Sequence, residues 1–144
     1  MRVAAPRVLL DGEPTGLVAW PCERFLARTV GCWRWGGRLP RGMAVWLAPC
    51  RAIHTIGLPR SIEVAFCDRA GCILRLVAPL VPHRLAWCPR ASGAFELRTG
   101  SALRLGLCVG RRLHLEPPGL SPGLSPGISP GPGPGHGSPG GARG

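Results

Sequence analysis

Lysine, asparagine, glutamine and tyrosine are absent from this chain of 144 residues. All 18 basic residues are therefore arginines, set against 7 acidic ones, for a formal net charge of +11. An all-arginine set with abundant Gly, Ala and Pro is what a GC-rich coding sequence produces. Such charge is weaker grounds for a nucleic-acid partner than the same charge built from mixed Lys and Arg. The arginines are also strung singly from Arg2 to Arg112 rather than gathered in a run. That predicts a solvated basic surface, with weak and sequence-indifferent attraction to nucleic acid. No segment approaches the ~18 apolar residues of a membrane span, and Pro6, Arg7 and Asp11 break the N-terminus before it reaches the apolar length of a signal peptide. The expected compartment is the cytoplasm. No C-x-x-C spacing occurs among the seven cysteines, Cys22, Cys32, Cys50, Cys67, Cys72, Cys88 and Cys108. An odd number suits no closed disulfide framework, so the thiols are expected reduced, most of them as small buried hydrophobes.

What is present divides the chain in two. From Pro117 onward it reads GLSP, GLSP, GISP, GPGP and HGSPGG, with Arg143 as its one charge. Proline and glycine at that density leave too little apolar surface to offset the entropy of ordering. The spacing between glycines is mostly four or two, which excludes a collagen repeat. Residues 117–144 are expected to be a disordered Pro/Gly/Ser-rich tail. Residues 1–116 are expected to form a single globular domain carrying +10 once Arg143 is set aside.

Within the domain, Val8-Leu9-Leu10 followed by Asp11-Gly12 reads as a strand and turn, with Leu17 to Trp20 as the return. Leu26, Val30 and Trp33 form a helical stripe over residues 23 to 34, stopped at Gly36-Gly37. Met43 to Leu47 reads as a buried strand ended by Pro49. Asp68-Arg69-Ala70-Gly71 has the residues of a type I turn closed by a left-handed glycine. In that register Asp68 pairs with Cys72, Phe66 with Leu74, and Val64 with Leu76. One face is then apolar, and the other brings Glu63 diagonal to Arg75 as a cross-strand ion pair. Pro79, Pro82 and Pro89 make the stretch to Ser92 an irregular loop pinned by Leu85 and Trp87. Ala94 to Arg98 alternates as a strand, Ser101 to Leu105 reads as a helical turn opened by Ser101 and closed by Gly106, and Arg111 to Leu115 as the last strand. The five tryptophans are assigned mostly to core positions, with Trp35 exposed. The fold class expected is α+β and mainly antiparallel: a curled sheet, sandwich or half-barrel with one main helix and a short C-terminal helical turn.

Two blocks carry a resemblance. IHTIGLPRSIEVAFCDRAG, Ile53 to Gly71, and FELRTGSALRLGLCVGRRL, Phe95 to Leu113, are similar to the two signatures of domain-of-unknown-function family 192. The resemblance extends from about Val8 to Leu115. It implies a compact, mostly β domain with short helices and no established biochemical activity. The chain departs from the family pattern at Ser61, Ile62 and Glu63, where the family usually has Pro before an apolar–Asp pair. Ile56 and Leu58 stand where an aromatic residue and a methionine are common, Arg98 where proline is frequent, and Arg111 where an acid is. Glu63 keeps the family's carboxylate but moves it one methylene outward.

His54-Thr55 at the start of a strand, with Glu63 and Asp68 nearby, is the candidate site for a polar ligand. The plainer reading keeps the same residues structural, with His54 bonding a loop carbonyl, Asp68 making the turn and Glu63 pairing with Arg75. Cys50 and His54 are four residues apart, but no second pair has zinc-site spacing, so no metal or other cofactor is expected. The sequence thus points to a non-enzymatic binding or accessory module for a small polar ligand or a protein partner. Its candidate site is His54, Thr55 and Glu63. The alternatives are a basic RNA- or anion-binding protein, and a hydrolase using Cys50, His54 and Glu63 as nucleophile, base and orienting group.

Overall fold

The computed structural model describes residues 4–22 and 38–117. The helix expected over residues 23 to 34, with Cys32, Trp33 and Trp35, and the tail beyond Pro117 lie outside the described residues. The described residues form β1 (Arg7–Leu10), β2 (Glu13–Cys22), β3 (Met43–Leu47), β4 (Ala52–His54), β5 (Ile62–Cys67), β6 (Ile73–Leu80), β7 (Leu85–Trp87), β8 (Gly93–Leu97), α1 (Ser101–Leu105) and β9 (Leu113–Leu115). Seven strands make one sheet in the order β6-β5-β8-β3-β2-β1-β9, and β4 and β7 pair as a separate ribbon. Every described pairing is antiparallel except β2 with β3.

Turn chemistry starts the sheet. Asp11 and Gly12 both take positive φ, 50° and 86°, and join Leu10 to Glu13 as a two-residue hairpin whose twist matches the strands. The Asp11 turn is then tied to the segment that leads into the neighbouring edge strand β9: its carboxylate accepts from Arg112 N at 2.9 Å and from Arg111 Nε at 2.7 Å. At the other edge, Ile73 N donates to Arg111 O at 2.9 Å and Leu113 N to Gly71 O at 2.8 Å. The outer strands β6 and β9 therefore meet at one corner, through a single bridge between Cys72 and Arg112. The sheet is curled and sandwich-like, not closed.

β5 and β8 are buried along their whole length, because the sheet has a core on each side. One core gathers Val45, Leu47, Ile62, Val64, Phe66 and Ala94 under Ile53 and Ala86 of the ribbon. The other gathers Ala44, Ala65, Cys67, Phe95, Leu97 and Ala102 with Val8, Leu17 and Leu113. Phe95 and Leu97 face one way, as their alternation requires.

The second core corrects the expected β5–β6 register. The turn itself is as expected: Gly71 has φ 86°, Gly71 N donates to Asp68 O, and Asp68 N donates to Cys72 O, both at 3.0 Å. Beyond Cys67↔Ile73 the register slips by one, so Phe66 opposes Arg75, Ala65 opposes Leu76 and Val64 opposes Val77. Leu74 is the extra residue of a bulge. An unbulged strand would send Leu76 to the same side as Leu74. With the bulge, Leu74 and Val77 join the first core while Ile73 and Leu76 join the second. A face assumed to be polar is in fact a core, and the bulge serves both.

Two further expectations change. The stretch from Pro79 to Ser92 is not all loop, since β7 pairs with β4 through Ala52↔Trp87 and His54↔Leu85. In that ribbon Ala86 is the inward residue, and Leu85 and Trp87 are 67% and 61% exposed instead of pinning the segment. Trp20 is likewise 42% exposed. Trp46 does pack inward, with its ring centroid 4.5 Å from that of Phe95.

Gly93 lies against the indole of Trp46. A Cβ there would collide with Trp46 Cη2, lie 2.6 Å from Trp46 Cζ2 and 2.9 Å from Leu47 O. Gly93→Ala is expected to cost ~1–3 kcal/mol by overpacking, read from urea or thermal unfolding. An unchanged midpoint would refute this packing.

The acid limb of stability is expected to depend on the two clamps near the chain ends. Asp11 is held below the usual carboxylate range by the Arg112 N–H and then the Arg111 bond. Glu116 is held below it by the side-chain bonds from Arg7, one of them 2.7 Å. A carboxylate lowered on folding stabilises the fold at pH above its ordinary value of about 4. That contribution disappears as pH falls through the lower folded value. Asp11→Asn should therefore flatten the decline in melting temperature below about pH 4. A decline identical to that of the parent protein would count against the clamp.

Candidate functional site

The three residues singled out in the sequence are placed in two different settings. Thr55 directly follows β4, is fully buried, and is the hub of a crossing between two loops. Its hydroxyl donates to Val81 O at 2.6 Å and accepts from Arg84 N at 3.0 Å. Its backbone N–H donates to Arg84 O at 2.8 Å, and its carbonyl accepts from Leu58 N and His83 N. His54 is exposed on the outer face of the ribbon, opposite Leu85. Nearby, Gly57 N donates to His83 Nδ1 at 3.3 Å, so a histidine does hold this loop, but it is His83.

Glu63 lies on β5, opposite Leu97 of β8, and is only 6% exposed. Its carboxylate accepts from Gly100 N through Oε1 and from Ala102 N through Oε2, both at 2.7 Å. A buried carboxylate needs such donors, and charge-assisted bonds to backbone amides are the short, strong kind. Glu63 thus replaces the expected Ser101 cap: residue Gly100, with φ 92°, is the N-cap of α1, and no side chain of the helix itself caps it. It also corrects the expected ion pair, because Arg75 Nη1 donates to Trp87 O at 2.6 Å instead. At the other end Gly106, φ 69°, closes α1 as expected, with amides returning to Ala102 O and Leu103 O.

Glu63 forms part of a solvent-open hollow of about 530 Å³ whose lining includes Arg38, Arg60, Ser61, Arg98 and Thr99. Neither His54 nor Thr55 contributes to it. A second hollow of about 490 Å³ adjoins it, sharing Arg98 and Thr99 and adding Arg41 and Arg104. Five arginines scattered over 67 positions of sequence, from Arg38 to Arg104, therefore border one surface region. None of the five makes an ion pair or side-chain hydrogen bond among the described residues. Sequence reasoning missed this convergence because strands from distant parts of the chain build it.

Cys50 is half-buried, and its thiol approaches Ala52 O at 3.3 Å. Cys67 is buried, and burial pushes its thiol up to about 12, which makes it a poor nucleophile. Among the described residues no group of three or more His, Cys, Asp or Glu side chains could hold a metal ion, and no helix is long and apolar enough to cross a membrane.

No family model matches the chain, and no curated protein matches it. Two solved structures share its fold. One is a protein of unknown function from Novosphingobium aromaticivorans, at 15% identity and TM-score 0.63 over 75% of this chain and 83% of that one. The other is a candidate transcription regulator from Sinorhizobium meliloti, at 19% identity and TM-score 0.66 over 80% of this chain and 98% of that one. At such identities the likeness is one of fold.

Glu63→Gln retains the shape but leaves one amide N–H facing an NH₂ group. It is expected to cost ~1–3 kcal/mol and to raise hydrogen exchange at Gly100 and Ala102 above that of β5. Thr55→Val should cost a similar amount, because Arg84 N loses its acceptor. Unchanged exchange at both helix amides in Glu63→Gln would show that the carboxylate does not hold the turn.

Proposed function

We propose that this chain belongs with the domain-of-unknown-function family 192 that it resembles. We further propose that it is a non-enzymatic binding module taking a small polar ligand of anionic character in the hollow over Glu63. The observation that carries the reading is the set of three arginines, Arg38, Arg60 and Arg98, around a hollow with one carboxylate among its described lining residues. Both oxygens of that carboxylate are already bonded to backbone amides. Guanidinium groups without a protein partner recognise carboxylate or phosphate by paired N–H donors. The volume lies within the range of small-ligand sites. In this reading Glu63 shapes the site from below, and His54 and Thr55 belong to the neighbouring loop crossing that buttresses the ribbon. A hydrolase built on Cys50, His54 and Glu63 is less well supported, since the Glu63 oxygens are engaged at the helix. The name of the Sinorhizobium protein, a candidate transcription regulator, agrees with binding instead of catalysis.

Calorimetric titration with inorganic phosphate and with a nucleoside monophosphate tests the reading. Arg60→Ala and Arg98→Ala are each expected to weaken binding by about tenfold or more, the worth of a charge-assisted hydrogen bond. Arg90→Ala removes the same charge from an exposed position outside the hollow and is expected to leave affinity nearly unchanged. An equal loss in all three variants would reduce the effect to net charge and overturn the site.

A further inference from the structure

We infer that the two adjoining hollows form one track for the sugar–phosphate backbone of a single-stranded nucleic acid. The inference rests on the anion-binding reading above and deepens it from a small ligand to a polymer. Its first support is continuity. Arg98 and Thr99 line both hollows, so the wall between them is shared and a chain bound in one runs directly into the other. A lone small anion would occupy one hollow and leave the arginines of the other unused. A polymer with a charge on every unit engages both.

The second support is the balance of charge. Arg38 and Arg60 line one hollow with Arg98, Arg41 and Arg104 line the other with it, and Glu63 is the single acidic residue among the described linings. A protein partner would have to bring a long acidic stretch to satisfy five guanidinium groups. A phosphodiester backbone supplies such charge by its repeat, and arginine forks match its oxygens. Net basicity spread over a surface gives only diffuse attraction, whereas convergence on one groove gives a defined path.

The third support is the character of the second hollow. Leu17, Pro40 and Met43 share it with Gly16 and Gly42. The apolar side chains suit sugar and base edges better than bulk water. The donors come from arginines and not from the end of α1, because Gly100 N and Ala102 N are committed to Glu63. The described residues that line the two hollows carry no aromatic ring, and the affinity proposed here comes from phosphate contacts. Binding should be governed by phosphates, indifferent to sequence, and strongly dependent on salt.

Fluorescence anisotropy on the full chain tests this with labelled single strands of about 4 and about 12 nucleotides and a duplex of the longer one. The longer single strand is expected to bind at least tenfold more tightly than the shorter. The logarithm of its binding constant should fall with the logarithm of salt concentration with a slope of about −3.5, from ~0.7 for each phosphate met by one of the five arginines. Arg41→Ala and Arg104→Ala, exposed residues of the second hollow only, should each make that slope shallower by ~0.7. Arg90→Ala, with the same loss of charge, should leave it unchanged. Phosphate or mononucleotide binding that gains nothing from strand length would overturn the polymer track while leaving the anion site standing. Failure to bind any of these probes would overturn both. A duplex bound as tightly as the single strand, or an acidic peptide bound more tightly than either, would also overturn the track.

Discussion

The carboxylate of Glu63 is the constraint around which the rest of this structure is arranged. β5 is buried on both faces, so a glutamate in its run cannot be left to water. It is met by two backbone amides from the turn that starts α1. Those two bonds join the middle of the sheet to the segment after β8, and they fix Arg98, Thr99 and Gly100 at its rim. The basic groove is a consequence, because the residues that answer the buried charge are flanked by the arginines that face solvent. One interaction thereby links the core to the surface that we assign to binding.

A second constraint is the pair of cores. A strand buried on both sides needs apolar side chains on both, and β5 supplies Ile62, Val64 and Phe66 to one core, with Ala65 and Cys67 to the other. Its partner β6 would conflict with this under strict alternation. The bulge at Leu74 resolves the conflict by shifting the strand one residue, so that Leu74 and Val77 reach one core and Ile73 and Leu76 the other. The same shift turns Arg75 toward the ribbon, where the Trp87 carbonyl accepts from it. Arg75 is thereby removed from Glu63, which leaves the carboxylate to the helix turn.

The basic residues illustrate how weakly sequence spacing reports surface charge. Arg38, Arg41, Arg60, Arg98 and Arg104 are far apart in the chain, and the sheet order that places β5 beside β8 and β8 beside β3 draws them together. Elsewhere arginines serve the fold itself. Arg7 clamps Glu116, Arg111 holds the Asp11 turn, and Arg112 donates to Ala70 O. A single composition therefore supplies structural arginines with partners, such as Arg7 and Arg111, and arginines that line the hollows, such as Arg60 and Arg98.

Local chemistry made part of this protein legible from its sequence. The Asp11-Gly12 hairpin, the Asp68 to Gly71 turn, the buried β3, the alternation of β8 and the Gly106 stop all rest on residues acting within a few positions of each other. Glycine at positive φ and an Asx side chain bonding its own turn need no distant partner, and mainly antiparallel strands joined by such turns gave the fold class. Tertiary structure alone decided the rest, because each remaining feature joins residues far apart in sequence. Whether Glu63 met an arginine or a helix turn depended on which element packed against β5. Whether the second face of the hairpin was wet or buried depended on Val8, Leu17, Ala102 and Leu113 gathering against it. Which arginines shared a groove depended on the order of strands in the sheet. Turn geometry is a short-range property of the chain, whereas burial and charge convergence are set only when the strands have closed around their two cores.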